Sequence, residues 1–230
     1  MTKEHDQLTA LLTDPSHETD GPFTFDCGSL GGNRLVLMTC GIGKVNAAVG
    51  TTALIRRYAP DCIVSTGCAG GVSEGMQVMD VVVSTAVCYH DVSIPGCETG
   101  QVQGLPQFFR AEEQLVEAAM TVHTEGTVLH AGLIASGDQF ISSPEQLNAV
   151  NAAFPEALAV DMESAAIAQT CFLLQTPFVS FRILSDTPGA DKHLEQYFNF
   201  WDEMASLSFE VTRRFLAALP DHFALLPFDN

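Results

Sequence analysis

The chain has 230 residues, 47% of them hydrophobic, and its ten basic and twenty-eight acidic residues give a formal net charge of -18. This length and apolar content suit a single α/β domain with a substantial core, which we expect to span residues 1–230. The acidic field repels phosphate backbones and argues against nucleic-acid partners. No stretch reaches the ~18 apolar residues of a membrane span, and the first residues lack a signal-type apolar run. We therefore expect a cytoplasmic protein without a membrane partner.

The seven cysteines predict neither a disulfide framework nor a metal site. They include no CxxC pair and no Cys/His spacing of the kind that zinc sites use. Most lie in apolar runs, where a free thiol packs as a small hydrophobic side chain. The pattern indicates a reducing compartment.

Short β-rich runs alternate with helix-like segments along the chain. The expected strands cover residues 23–27, 34–39, 62–66, 78–85, 127–135, 157–160 and 178–184. The expected helices cover residues 45–58, 111–122, 144–153 and 164–174, followed by a long amphipathic helix from about 200 to 219. Such alternation predicts a mixed, mostly parallel sheet flanked by helices.

Four of the expected strands end in polar or glycine-rich sequence. These strand ends read TGCAGG at 66–71, SGDQF at 136–140, VDMES at 160–164 and RILSD at 182–186. Ligands of open α/β sheets bind beyond the carboxyl ends of the strands. We therefore expect the four segments to form one site.

Two acidic residues in these segments suit glycosidic cleavage. Glu163 stands at an expected helix start, where the helix dipole stabilises an ionised carboxylate, although a plain capping role fits equally. Asp186 ends an apolar strand, where desolvation can retain its proton, although it could be an ordinary turn residue. A protonated and an ionised carboxyl group together are what cleavage of a glycosidic bond requires.

The sequence blocks resemble those of methylthioadenosine/S-adenosylhomocysteine nucleosidases, which belong to the nucleoside phosphorylase superfamily. The blocks are GIGKVNAA at 41–48, STGCAGGV at 65–72, SGDQFI at 136–141, VDMESAAIA at 160–168 and RILSD at 182–186. The five blocks stand in the order and spacing of the family, and the resemblance covers nearly the whole chain. The resemblance implies a nucleoside phosphorylase-like fold and an enzyme that releases adenine by hydrolysis, with water as the nucleophile and no metal or organic cofactor.

The resemblance also implies three catalytic residues. Asp186 would protonate N7 of adenine so that the base can leave. Glu163 would hold the ribose hydroxyls and offset the charge of an oxocarbenium-like transition state, with Met162 beneath the sugar. Glu4 would be the base that activates water; the competing interpretation is a solvated terminal residue.

The remaining implied residues bind the substrate. Phe140 would stack on adenine, the backbone of Ile141 would read the edge of the base, and Ser185 would orient Asp186. The other residues implied are Ile42 and Tyr197 at the 5′-alkylthio pocket, Cys68, Ala69 and Gly70 of the TGCAGG block, and Asp161 and Arg182 on the sugar side. Base rates alone favour Phe140 as core, and Arg182 as the buried partner of Asp161 or Glu163.

The chain departs from the family pattern at three places. Residues 1–4 resemble only the end of the family's first strand, so we expect that this amino-terminal strand is missing. Cys68 stands where many relatives have Ser, and Asp161 where Glu is usual. We interpret Cys68 as a packing change, and Asp161 as a residue with a longer or water-shared contact to a ribose hydroxyl.

Three alternative functions stay open. A purine nucleoside phosphorylase would need arginines for phosphate, and Ser65 stands at one of the positions where those enzymes carry one. A hydrolase of futalosine-type nucleosides differs only in the 5′ substituent. A binding protein without turnover is the third alternative. The family resemblance further implies a homodimer, in which residues 89–106 of one subunit close the partner's 5′ pocket.

Overall fold

The computed structural model describes residues 2–187, 193–203 and 205–220, without the side chains of residues 2–4, 193, 194, 201–203 and 205–209. The strands are β1 (Thr13–Asp20), β2 (Phe23–Leu30), β3 (Asn33–Leu37), β4 (Ile63–Gly71), β5 (Val81–Tyr89), β6 (Phe109–Arg110), β7 (Leu129–Ser136), β8 (Ala157–Asp161) and β9 (Phe178–Asp186). The helices are α1 (Thr2–Thr9), α2 (Lys44–Tyr58), α3 (Glu113–Met120), α4 (Pro144–Ala153), α5 (Ser164–Leu173), α6 (His193–Glu203) and α7 (Ala205–Ala218).

The larger of two sheets curves until its ends meet. Its strand order is β6-β5-β7-β8-β4-β9, and a further pairing of β5 with β9 closes the ring. The long ladders β5–β7 and β4–β9 are parallel, as is β7–β8, whereas β4–β8 and β5–β9 are antiparallel. The predicted mixed α/β sheet is therefore confirmed. Strands β1, β2 and β3 form a separate antiparallel sheet.

Strand β9 is buried along its whole length, which explains why its sequence is apolar on both faces. Val179, Phe181 and Ile183 pack into one core cluster with side chains of α3 and α7. Phe178 and Leu184 pack into another with side chains of α2 and α5. Because side chains alternate along a strand, one segment supports helices on both faces of the sheet.

Helix α4 has the predicted bounds, because its start is encoded locally. The Ser143 hydroxyl accepts a hydrogen bond from the backbone N–H of Gln146, and the Gln146 side chain accepts one from the backbone N–H of Ser143. This capping box satisfies N–H groups that a helix start leaves unpaired. Pro144 at the first helical position adds a preset φ.

Other boundaries were wrong. The strand predicted at 78–85 begins at Val81, because Met79 has a φ of 79° and the N–H of Asp80 bonds to the carbonyl of Gln77 in a turn. The predicted helix from 200 to 219 corresponds to α6 and α7, with residue 204 outside the described part. Strand β1 was not predicted. Within the described ranges, no helix combines the length and apolar character needed to cross a membrane.

The expectation of a missing amino-terminal strand is not borne out. Residues 2–9 form helix α1 where we had expected the remnant of a strand. Leu8, at the end of this helix, is buried in the cluster that contains Phe215 of α7. Residues 2–9 therefore form a helix that packs against α7.

Candidate active site

A cavity of about 930 Å³ opens where β4, β8 and β9 end. The ends converge because Gly70 of β4 pairs with Val160 of β8 on one side and with Asp186 of β9 on the other. The cavity is lined by all the predicted site residues except Glu4: Ile42, Cys68, Ala69, Gly70, Phe140, Ile141, Asp161, Met162, Glu163, Arg182, Ser185, Asp186 and Tyr197. Glu4 lies in α1, and its side chain is outside the described part of the chain.

Glu163 is held by a different helix from the one we predicted. It occupies the N-cap position of α5 but makes no side-chain cap there. Its Oε1 instead accepts a hydrogen bond of 2.8 Å from the backbone N–H of Gly43, at the start of α2. Gly43 has a φ of 89°, which glycine adopts without strain. The start of α2 thus provides the positive helix end that we had assigned to α5.

The protonation balance of Glu163 also differs from the prediction. Burial raises the pKa of this carboxyl above its ordinary value, and the charge of Asp161 adds to the rise. Arg182 and the N–H of Gly43 oppose it. A cation that forms beside Glu163 would lower its pKa again, because opposite charges favour the ionised form.

Arg182 forms a buried ion pair with Asp161. Its Nε is 2.8 Å from Asp161 Oδ2, and the two side chains are 5% and 1% exposed. Its Nη2 donates to the hydroxyls of Ser65 and Ser164 at 2.9 and 3.1 Å. The interpretation of Arg182 as a buried partner of Asp161 therefore agrees with the structure. With Asp161 bound to Arg182 and Ser164, the geometry favours a supporting role for this carboxylate over contact with a ribose hydroxyl.

Asp186 ends β9 and is almost fully buried, with 2% of its surface exposed. The Ser185 hydroxyl donates a hydrogen bond of 2.7 Å to Asp186 Oδ1, and the Ala69 carbonyl lies 3.4 Å from the same hydroxyl. Ser185 can therefore donate to an ionised Asp186, or turn towards Ala69 when Asp186 carries the proton. The orienting contact predicted for Ser185 is present in the structure.

Aromatic and aliphatic side chains lie at the mouth of the cavity. The rings of Phe140 and Tyr197 meet edge to face, with centroids 5.2 Å apart and an interplanar angle of 71°. Phe140 is 40% exposed and Ile42 is 72% exposed, whereas Ile141 is buried. Phe140 is thus an exposed face that a planar ligand can cover, and not a core residue.

Two residues that hydrogen-bond to the predicted site residues were not identified from the sequence: Gly43, which donates to Glu163, and Ser164, which contacts Asp161 and Arg182. Gly43 lies in the GIGKVNAA block at 41–48, but no role of its own was predicted for it. Ser164 was read as part of a helix start, yet its hydroxyl contacts Ser180 at 2.6 Å besides Asp161 and Arg182. For Gly43, the available sequence signal was the glycine itself, which tolerates a positive φ. For Ser164, no local sequence pattern indicates the contacts of its hydroxyl.

The chain matches the phosphorylase superfamily over residues 1–217. It is 40% identical over 215 residues to the 5′-methylthioadenosine/S-adenosylhomocysteine nucleosidase of Bacillus subtilis, covering 92% of this chain and 93% of that one. The corresponding nucleosidase of Neisseria meningitidis, solved with methylthio-immucillin-A, superposes with a TM-score of 0.89 at 39% identity, covering 95% of this chain and 96% of that one. That of Colwellia psychrerythraea, solved with adenine, gives 0.91 at 37% identity, with 97% and 94% covered.

These comparisons agree with the order of the sequence blocks and with the cavity at the strand ends. They also span nearly the full length of the Neisseria meningitidis structure, which gives the expected loss of a strand no support. The chain therefore belongs to the methylthioadenosine/S-adenosylhomocysteine nucleosidase family of the phosphorylase superfamily.

Proposed function

We propose that this protein hydrolyses the N-glycosidic bond of methylthioadenosine and S-adenosylhomocysteine, and releases adenine and the 5-thioribose product. The observation that carries the proposal is the pairing of Glu163 and Asp186 in one cavity, each held by its own donor. The family relationship supports the same reaction. The substrates place the enzyme in salvage of methionine from S-adenosylmethionine products.

The two carboxyl groups divide the chemistry between base and sugar. Adenine is a poor leaving group as an anion, so a proton delivered by Asp186 to N7 lowers the barrier to bond cleavage. Positive charge then develops on the ribose, and the anchored carboxylate of Glu163 stabilises it without reorganisation. Phe140 at the mouth supplies a stacking face for the base, and Met162 packs beneath the sugar.

Attack by water completes the reaction. We assign activation of this water to Glu4, which would take the proton as the new carbon–oxygen bond forms at the anomeric carbon. The assignment rests on the family resemblance of residues 1–4. Water in place of phosphate agrees with the state of Arg182, whose guanidinium is already bound to Asp161, Ser65 and Ser164.

The first experiment measures adenine release from methylthioadenosine with and without phosphate. We expect release that does not depend on phosphate, and a loss of about 10²–10⁴-fold in Asp186→Asn, the range typical of a general acid. Asp80→Asn is the matched control, because Asp80 is a buried carboxyl outside the cavity. Phosphate-dependent release would indicate a phosphorylase, and tight binding without release would indicate a binding protein.

Preference for the 5′ substituent needs a separate comparison. The same assay with S-adenosylhomocysteine and a futalosine-type nucleoside compares kcat/KM across the three substrates. We expect the two thionucleosides to be preferred. A higher kcat/KM for the futalosine-type nucleoside would reassign the substrate while leaving the reaction class intact.

A homodimer is the assembly that we propose. Val45 and Val49 lie four positions apart at the start of α2 and are 74% and 52% exposed, and Ile42, in the loop just before the helix, is 72% exposed. The spacing puts the two valines on one helical face, and exposed apolar side chains grouped in this way fit a subunit interface. Light scattering of the wild type and of Val45→Glu tests this, with dissociation expected only in the variant. A monomeric wild type would refute the dimer.

We also propose a cytoplasmic location, on the basis of the cysteine residues. All seven cysteines are described, and the structure joins none of them in a disulfide. Burial raises the pKa of Cys62 and of Cys88 to about 12, so these thiols stay protonated and unreactive near neutral pH. A thiol-rich protein without disulfides suits a reducing compartment. Fractionation of the native host would test the assignment.

A further inference from the structure

A carboxylate outside the proposed catalytic pair, largely buried, links two of the loops that carry cavity residues. Asp91 follows the end of β5, and its Oδ2 accepts a hydrogen bond of 2.8 Å from Lys44 Nζ. The same oxygen accepts the backbone N–H of Asp138, also at 2.8 Å. Lys44 is the first residue of α2, and Asp138 lies in the loop after β7. One oxygen atom therefore joins the ends of three elements.

The link is reinforced by a reciprocal contact. The backbone N–H of Lys44 donates a hydrogen bond of 2.7 Å to Asp138 Oδ1. Lys44 and Asp138 are thus bound to each other directly and through Asp91. A triangle of this kind fixes the register of one loop against the other, because neither can slide without breaking two charge-assisted hydrogen bonds.

Both loops carry residues that the proposed reaction uses. The residue before Lys44 is Gly43, whose N–H donates to Glu163. Two residues after Asp138 comes Phe140, the proposed stacking face for adenine. The triangle therefore connects the loop that anchors Glu163 with the loop that carries Phe140.

Tight packing leaves Asp91 little freedom. Its side chain is 11% exposed, and that of Lys44 is 26% exposed. A Cβ at Gly137 would lie 2.6 Å from the ring of His90 and 2.7 Å from Asp91 Cγ, so only glycine fits there. Burial alone would raise the pKa of Asp91, but Lys44 and the N–H of Asp138 bring it below its ordinary value. The carboxylate is therefore ionised at neutral pH and strongly bound to its partners.

We propose that Asp91 is a positioning residue, which sets the 41–44 loop against the 137–141 loop and so aligns Glu163 with the stacked base. It touches no substrate and acts through Gly43 and Asp138. The proposal rests on the proposed nucleosidase function. Without the Lys44–Asp91 pair, the two loops can shift independently, and displacement of a catalytic group by about 1 Å can cost about 10²-fold in rate.

The chain offers a matched control at the opposite end of the same strand. Asp80 directly precedes β5, its side chain is 10% exposed, and its Oδ2 accepts the backbone N–H of Gln77. That oxygen also lies 3.3 Å from His130 Nε2. The side chain of Asp80 therefore matches that of Asp91 in burial and in the kinds of partner, but neither Gln77 nor His130 belongs to the 41–44 loop or the 137–141 loop.

The test measures kcat, KM and the melting temperature of Asp91→Asn, Lys44→Met, the double variant and Asp80→Asn, beside the wild type. We expect kcat/KM for methylthioadenosine to fall by about 10²-fold in Asp91→Asn, with much of the loss in kcat. Lys44→Met should lose a similar factor, and the double variant little more than either single variant. Asp80→Asn should keep its kcat/KM even if its melting temperature falls.

Each other outcome overturns part of the reasoning. Wild-type kcat/KM in Asp91→Asn, or an equal loss in Asp80→Asn, would reduce Asp91 to a structural role. Fully additive losses in the double variant would refute a shared network. If the wild type itself releases no adenine, the proposed nucleosidase function is wrong. The positioning role of Asp91 is then tested separately, by calorimetric measurement of adenine binding to the wild type and the variants. Weaker adenine binding in Asp91→Asn alone would uphold the positioning role, and unchanged binding would overturn it.

Discussion

Replacement of Gly67 by alanine tests how firmly Arg182 is held. A Cβ at position 67 would lie 2.3 Å from Arg182 Nη1. Non-bonded heavy atoms settle at about 3.5–4.0 Å, so the guanidinium would have to move by more than about 1 Å. Such a movement separates Arg182 from Asp161, and breaking a buried pair costs about 3–5 kcal/mol. At about 2–4 °C per kcal/mol for a domain of this size, the melting temperature should fall by about 6–20 °C.

Gly132→Ala is the matched control for thermal unfolding followed by circular dichroism. Its Cβ would lie 2.4 Å from Leu158 Cδ1, a similar overlap in another strand. Leu158 is only half-buried, so its side chain can rotate away. We expect Gly132→Ala to lose much less stability than Gly67→Ala, in which the φ of 156° at position 67 adds backbone strain to the displacement of Arg182. Equal losses in the two variants would refute the view that the hydrogen bonds of Arg182 make the difference.

Three further predictions concern stability. Ser143→Ala removes the capping hydroxyl of α4 and should cost about 1 kcal/mol in urea unfolding, and no loss would discount the capping box. Phe215→Ala removes a ring stacked 4.7 Å from Phe181 in the core and should cost about 3–5 kcal/mol in the same assay, unless the neighbouring helices collapse into the space. Burial lowers the pKa of His90 from its ordinary value of 6.5. The unfolded chain therefore takes up this proton first, and His90 should reduce the unfolding free energy as pH falls below about 6.5. The difference in unfolding free energy between the wild type and His90→Gln should therefore change with pH below about 6.5 and stay constant above it, and a difference that does not change with pH would contradict the assignment.

The accuracy of the sequence predictions follows from how local each signal is. The bounds of α4 were predictable, because Ser143 and Gln146 lie three positions apart in the sequence. Strand β1 was not, because its eight residues are exposed or half-buried and carry no apolar alternation. Residues at the strand ends were found through their composition. The donor to Glu163 was not, since Gly43 lies 120 positions away and is brought close only by the tertiary fold.

Closure of the barrel has a consequence for how the chain is made. Ile63 of β4 pairs with Phe178 of β9, and Val83 of β5 pairs with Phe181, so the ring forms through partners far apart in the sequence. Contacts of such long range slow folding, because the chain loses the entropy of closing a long loop before the contacts can stabilise it. During synthesis, the edges of β4 and β5 that pair with β9 stay unpaired until β9 leaves the ribosome. Unpaired strand edges promote aggregation. Since β9 also carries Arg182 and Asp186, its arrival closes the barrel and adds these two side chains to the cavity.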